Sequence, residues 1–405
     1  MLFKLKDRVM SKISLLIVLN LLMFNAFADQ EITHDLQVHG FIAQGIIDVN
    51  GSDYVNDSGD ISTELTEIGL NASYQLNSQL RITGQVVYLE GGNRYNNGTR
   101  IDYALIDWAA FQDENWQVNL YLGRFKNYHW LYSGTRDVPF TRPSIILPQS
   151  MYFDGFRDIA VGGDGGDLKI SHSSDNLGDF DFNLSSGTTT ISKEQTQLLL
   201  SELALGKFNQ HSDLQTSLYW QPTFSSWRFG LSFLDSKFEY IAAEAGDNFL
   251  DADLRLQRSI INALYEGEKW EFAVEAFQER FIFDGFYYDG YSQDKLGLGY
   301  YAQSRYKVDN KFTLLARYEK FYADKNDKNG QELEESTGGI VPSYFGYQHD
   351  ITFGLSYDIA QTFRLQFEFH HFTGTARLTP VVFPNLELND SESWDLWAMQ
   401  LMYWF

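Results

Sequence analysis

Six charged residues crowd one stretch of the chain, Arg136, Arg142 and Arg157 against Asp137, Asp154 and Asp158. Three of each sign cancel, so the stretch alone sets no ion preference. Set around an aqueous passage, such groups filter ions; buried away from water, they must pair with one another and hold a shape. The same stretch carries Phe140, Ile145, Ile146, Leu147, Met151, Tyr152, Phe153 and Phe156. Apolar side chains of this size need burial, so the segment is expected to pack against an interior surface. No enzymatic constellation competes with this reading. The eight histidines are scattered, and His370 and His371 fall on opposite faces if their segment is a strand. Gly-x-Ser-x-Gly, His-Glu-x-x-His and phosphate-binding glycine loops are all missing. Gly162–Asp167 offers two carboxylates, as a calcium loop would, but it occurs once and reads better as a flexible hinge at a loop-to-strand junction. The chain has no cysteine, which rules out disulfides and thiolate metal sites. No catalytic residue, cofactor or metal is expected.

Alternation along the chain supplies the elements that would position these charges, since a period of two marks a strand. In Phe363-Arg-Leu-Gln-Phe-Glu-Phe369, four apolar residues share one face and Arg364, Gln366 and Glu368 the other. Ile351–Tyr357, Trp227–Phe233 and Trp270–Ala276 repeat the pattern. Extended to the other segments, it puts Arg81, Arg228, Arg305, Arg317 and Arg364 on the polar face. The acidic set there is Glu67, Glu271, Glu275, Glu279, Glu319 and Glu368. Opposite charges facing across a passage would order its water and favour polar solutes; for any one residue, ordinary solvation is the plainer expectation.

About sixteen such segments begin near residues 36, 65, 79, 101, 116, 166, 178, 213, 226, 254, 270, 295, 311, 347, 362 and 393. Short connections such as Asn77-Ser78 and Asp309-Asn310 alternate with long ones at 50–64, 91–99, 127–163, 188–212, 237–253, 284–294, 323–346 and 374–392. Short turns on one side and long loops on the other characterise transmembrane β-barrels. All seven prolines fall in connections, as they must when every strand donates its amides. Aromatic pairs flank the short turns: Phe111/Trp116, Trp220/Trp227, Tyr265/Trp270, Tyr306/Phe312 and Tyr357/Phe363. Rings with one polar edge favour the headgroup level of a bilayer, so these form an expected girdle. The fold expected is all-β, a single transmembrane antiparallel barrel over 29–405, with both ends on the short-turn side and no helical segment of consequence.

The two ends agree with an exported barrel. Lys4, Lys6, Arg8 and Lys12 precede an apolar run from Ile13 to Phe27 that closes on Ala26-Phe27-Ala28, the order of a cleaved signal peptide over 1–28. At the other end Trp397, Met399, Leu401, Tyr403 and Phe405 alternate up to the last residue. This resembles the carboxy-terminal signal by which outer-membrane barrels are handed to their assembly machinery.

The net charge is −23. Removing 1–28, with four basic residues and one acidic, takes it to −26. Such a balance repels nucleic acid and favours cations at the mouth. The excess lies mostly in the long loops, for example Asp53, Asp57 and Asp60, and Glu332, Glu334 and Glu335. These carboxylates could equally hold divalent cations that bridge lipopolysaccharide.

Over its whole length after the leader, the chain resembles the sixteen-stranded porins of Gram-negative bacteria. Local marks are the opening Val38-His-Gly-Phe-Ile-Ala-Gln-Gly45, the Leu122-Gly-Arg-Phe125 that ends the fifth strand, and the long third loop after it. The resemblance implies that 127–163 folds into the lumen as a constriction loop. It implies a homotrimer in the cell outer membrane that passes ions and small hydrophilic solutes by passive diffusion. The loop carries Val138-Pro-Phe-Thr-Arg-Pro143 where the best-known general porins have Pro-Glu-Phe-Gly-Gly, which leaves the solute open. A channel selective for a sugar, phosphate or organic acid is the first alternative. A barrel enzyme and a non-conducting structural barrel are the others.

Overall fold

The structure, a computed structural model, describes residues 35–55, 60–160 and 162–405. The expected signal peptide lies outside them. Sixteen strands make up the described residues' sheet: β1 Leu36–Asn50, β2 Thr66–Gln75, β3 Leu80–Glu90, β4 Gly98–Gln112, β5 Trp116–Lys126, β6 Gly162–Ser174, β7 Gly178–Thr188 and β8 Lys207–Gln221. The second half runs β9 Trp227–Ile241, β10 Ala252–Glu266, β11 Trp270–Gly285, β12 Ser292–Lys307, β13 Phe312–Tyr322, β14 Tyr347–Ala360, β15 Phe363–Gly374 and β16 Ser393–Trp404. Each pairs antiparallel with its sequence neighbours, and β16 pairs with β1 from Phe41↔Trp404 to Asn50↔Asp395, so the sheet closes on itself. Closure leaves no edge, which is what a hydrocarbon surround requires of a sheet.

All sixteen segments read from alternation are strands. The largest offset is at β8, which starts at Lys207 rather than 213, because its first inward residues Phe208 and Gln210 are packed under loops and do not look like a lipid-facing repeat. The glycine run at 162–167, expected to be a hinge, is instead regular strand: Asp164 pairs with Arg124 and Thr188 in register. Among the described residues no acidic or histidine cluster could hold a metal ion.

The outward face is apolar over the middle of the barrel. Leu70, Val86, Ile106, Leu122, Leu231, Ile261, Val274, Phe353 and Leu401 are each more than 40 % exposed. A contiguous exposed apolar surface of this extent marks a face that meets something other than water, here a bilayer. The girdle forms as a chain of ring contacts at the short-turn rim. Trp227 meets Tyr265 at 5.1 Å, Trp270 meets Tyr306 at 4.6 Å, and Phe363 meets Tyr403 at 4.6 Å.

The inward face is less uniformly polar than alternation suggests. Between the long loops and β8–β13 lies an apolar core inside the barrel, with Phe208, Phe238, Leu256, Ile260 and Phe277 from the wall and Trp130, Met151, Tyr152 and Phe153 from the third loop. A helix the sequence reading missed, Lys193–Leu200, contributes Leu199 and Leu200. Ser192 caps it by accepting from the Gln195 amide at 3.1 Å, a standard N-cap. Its carbonyls then receive the eighth loop, Val381 N–H on Leu199 O at 3.0 Å and Phe383 N–H on Leu200 O at 3.1 Å. A second core joins loops 1, 3 and 8 to β1 and β16 around Trp394. Its indole stacks on Phe372 at 3.8 Å and donates to Gly374 O at 3.1 Å. Trp394→Ala is expected to cost about 3–5 kcal/mol, the usual range for a large buried aromatic, read as a lower unfolding midpoint in detergent with strand content unchanged.

Candidate constriction site

The third loop leaves β5 after Lys126 and re-enters the wall at Gly162. Prolines and short turns shape it. Pro139–Thr141 forms a 3-10 turn, and Pro148 O accepts the amides of Met151 and Tyr152 at 3.1 and 2.7 Å. Burial of Ile145, Ile146, Met151, Tyr152 and Phe153, each at most 2 % exposed, draws the loop inward. Phe140 reaches the closing seam and stacks on Trp404 at 4.8 Å.

Three carboxylates on the far wall hold the loop, mostly by its main chain. Glu368 of β15 accepts the amides of Ile145 and Ile146 at 2.5 and 3.1 Å. Glu319 of β13 accepts the Ser150 amide at 2.6 Å. Glu275 of β11 accepts the Leu131 amide at 3.0 Å and the Tyr152 hydroxyl at 2.5 Å, with Tyr301 of β12 adding a third donor at 2.9 Å. Cations take the loop's carbonyls in return. Arg317 donates to Ile146 O at 3.1 and 3.2 Å, Arg364 to Phe140 O at 3.1 Å, and Arg377 of the eighth loop to Ser150 O at 3.4 Å. Hydrogen bonds to ionised groups are the stronger kind, and here they also satisfy amides that no strand pairs.

The loop's own charges form an ion-pair network. Arg136 lies 2.8 Å from Asp154, and Arg157 is 2.5 Å from Asp137. Arg142 binds Glu67 of β2 at 2.6 Å, and Arg157 approaches the same carboxylate at 3.5 Å. Lys126 bridges Asp137 and Asp102 of β4. Burial opposes ionisation of Asp137, but Arg157 and Lys126 outweigh it and hold the carboxyl well below its ordinary range. Asp154 is likewise lowered, burial being outweighed by Arg94, Arg136 and Arg157. A depressed folded pKa adds stability that is complete above the unfolded value, about 3.9, and is lost as pH falls through the folded one. The unfolding midpoint is therefore expected to hold between pH 7 and 5 and to drop steeply below about pH 3; a midpoint unchanged down to pH 2 would mean these pairs add nothing.

The eleven wall candidates named by alternation all lie on the inward face, but they divide. Glu67, Glu275, Glu319, Glu368, Arg317 and Arg364 meet the loop or its ion pairs. Arg81, Arg228, Arg305 and Glu271 sit within a few residues of the short turns. Arg81 binds Gln75 at 2.9 Å, Arg228 covers the Tyr219 ring at 4.2 Å, and Arg305 pairs with Glu271 at 2.8 Å. Of the loop's six charges, all but Asp158, whose side chain is outside the described set, are in pairs. Glu279 pairs with Arg258 of β10 and, at 3.4 Å, with Arg377.

Sequence reasoning missed Arg94, Asp102, Lys126, Arg258, Asp350, His370 and Arg377 as members of this site. Arg258 alternates in phase with Leu256 and Ile260, which hid it among apolar residues. His370 was placed on a strand face, but its bonds to Asp350 at 2.9 Å and Glu368 at 3.2 Å depend on neighbouring strands. Arg94 and Arg377 come from loops 2 and 8, and only the closed fold brings them in.

No protein-family model and no curated protein matches the sequence. Solved structures do match the fold. The outer membrane channel DcaP of Acinetobacter baumannii is similar with a TM-score of 0.57 at 10% identity, covering 94% of this chain and 100% of that one. An anion-selective porin from Comamonas acidovorans gives 0.55 at 12%, covering 91% and 99%. OmpT of Vibrio cholerae gives 0.55 at 13%, covering 91% and 97%. At these identities the likeness concerns architecture, and it extends over nearly the full length of each partner, so the chain has the sixteen-stranded fold of the outer-membrane porins.

Proposed function

We propose that this protein is an outer-membrane porin through which ions and small hydrophilic solutes diffuse passively, with residues 127–163 as its constriction. The observation that carries this reading is the third loop laid across the inside of a closed barrel and held there by Glu275, Glu319 and Glu368. A wall that only needed stability would have no use for carboxylates that receive another segment's amides. The apolar outward band and the aromatic rim support a membrane setting. Export by residues 1–28, delivery to the barrel assembly machinery through Met399, Leu401, Tyr403 and Phe405, contact with lipopolysaccharide and a homotrimeric assembly belong to the same reading.

A narrower, substrate-selective channel is the second reading, and one observation favours it. At the level of the loop, inward side chains are buried on strands all round the barrel, including Glu67, Asn183, Gln215, Ser232, Glu275, Glu319, Glu368 and Gln400. Inward side chains packed this closely favour a narrow passage over a wide one, and a narrow passage discriminates by size and hydrogen bonding. Single-channel recording of purified protein in a planar bilayer, with a salt gradient, tests both. Large steps arriving in threes are expected of a trimeric diffusion pore, and small steps blocked by one solute class of a selective one. Folded, inserted protein that gives no steps would sink the channel reading, and lipid or peptide turnover by the same sample would replace it with an enzyme.

A further inference from the structure

We infer that loops 2 and 3 enclose a binding site for a small monovalent inorganic anion of about the size of a halide. The site is a small cavity, with about 10 Å³ open to the centre of a water-sized occupant, between the second loop, the third loop and β2. Its charged lining is Arg94, Arg136, Arg142 and Arg157 against Glu67 and Asp154, four cations to two anions. Asp137 takes up part of Arg157's charge from the other side. An excess of positive charge therefore remains inside a region where each of these six residues is 7 % exposed or less.

The arginines also have donors to spare. Asp154 is shared by Arg136 at 2.8 Å and Arg94 at 3.7 Å, and Glu67 by Arg142 at 2.6 Å and Arg157 at 3.5 Å. After these contacts Arg94 Nη2, Arg136 Nη1 and Arg142 Nε are buried with no partner. Three unpaired guanidinium donors bordering one cavity call for an acceptor, and excess buried charge calls for the opposite sign. An anion answers both, whereas water answers only the first. Enclosure sets the size: a water-sized occupant claims about 30 Å³ of liquid volume, and the guanidinia with their carboxylates leave no room for a bulky organic acid. Tyr54 and Tyr95 fix the frame, Tyr54 donating to Asp154 at 3.2 Å and Tyr95 stacking under Arg157 at 4.5 Å. The site so defined is independent of whether the barrel conducts.

Bromide is the probe. Crystals of the intact barrel grown in sodium bromide are expected to show an anomalous peak within hydrogen-bond reach of Arg94, Arg136 and Arg142. In detergent, sodium chloride is expected to raise the unfolding midpoint more than sodium gluconate of equal ionic strength, since gluconate is too large to enter. Arg142→Lys keeps the charge beside Glu67 but loses the Nε donor, and should weaken the chloride effect at least five-fold. If that variant does not fold, the bromide map of the native protein decides alone. A cavity without anomalous density, or chloride and gluconate acting alike, overturns the inference.

Discussion

Replacing Glu275, Glu319 and Glu368 together with leucine is expected to free the third loop and raise single-channel conductance at least two-fold, with added current noise. The three carboxylates accept four loop amides and the Tyr152 hydroxyl. A buried donor left unsatisfied costs about 1–3 kcal/mol, so the loss over four amides exceeds what the remaining contacts of Arg317 and Arg364 return. The barrel itself should survive, because strand pairing uses backbone groups that these side chains do not touch. Closed barrels can be recognised by their compact migration on unheated gels. The corresponding glutamine triple keeps an acceptor oxygen at each position and should hold the loop nearly in place. Leucine variants with native conductance would show that the apolar contacts of Met151, Tyr152 and Phe153 position the loop unaided.

Removing Phe405 is expected to lower the amount of folded barrel in cells more than ten-fold, yet to cost little when denatured protein is refolded into micelles. The residue closes the β1–β16 seam through Gly40, whose amide donates to Phe405 O at 3.2 Å and whose carbonyl accepts the Phe405 amide at 3.0 Å. The Phe405 ring covers Gly40 so closely that a β-carbon there would lie 2.6 Å from it. Each of these hydrogen bonds, and the half-covered ring, is worth only about 1–2 kcal/mol, small beside the pairing of sixteen strands. A large loss in cells alone would therefore point to recognition during assembly. Equal losses in both settings would make Phe405 a structural residue only. Gly40→Val should displace the ring and reproduce part of either outcome.

The strands were legible because lipid imposes a strict alternation on one face, as in Phe367, Phe369, Met399 and Leu401. The long third loop was legible from its apolar content, since Ile145, Ile146 and Met151 have no place in water. Which charges met the loop was only half legible. Alternation gives a side chain's face but not its height along the strand, so Arg305 and Glu319 looked equivalent although one lies at the rim and the other under Ser150. Groups that share the site through loops 2 and 8, such as Arg94 and Arg377, have no local pattern at all. The helix Lys193–Leu200 was missed because its eight residues leave too short a repeat to separate from loop.

The wall grips the third loop chiefly by peptide groups, which every sequence possesses. Glu275, Glu319 and Glu368 would accept the amides of positions 131, 145, 146 and 150 whatever side chains other than proline stood there. This part of the attachment is thereby uncoupled from the loop's composition. Descendants of this gene could exchange residues along the loop, and so reshape the surface it presents inside the barrel, without relearning how to seat it. Drift would be tolerated on the loop and punished on three glutamates of the wall.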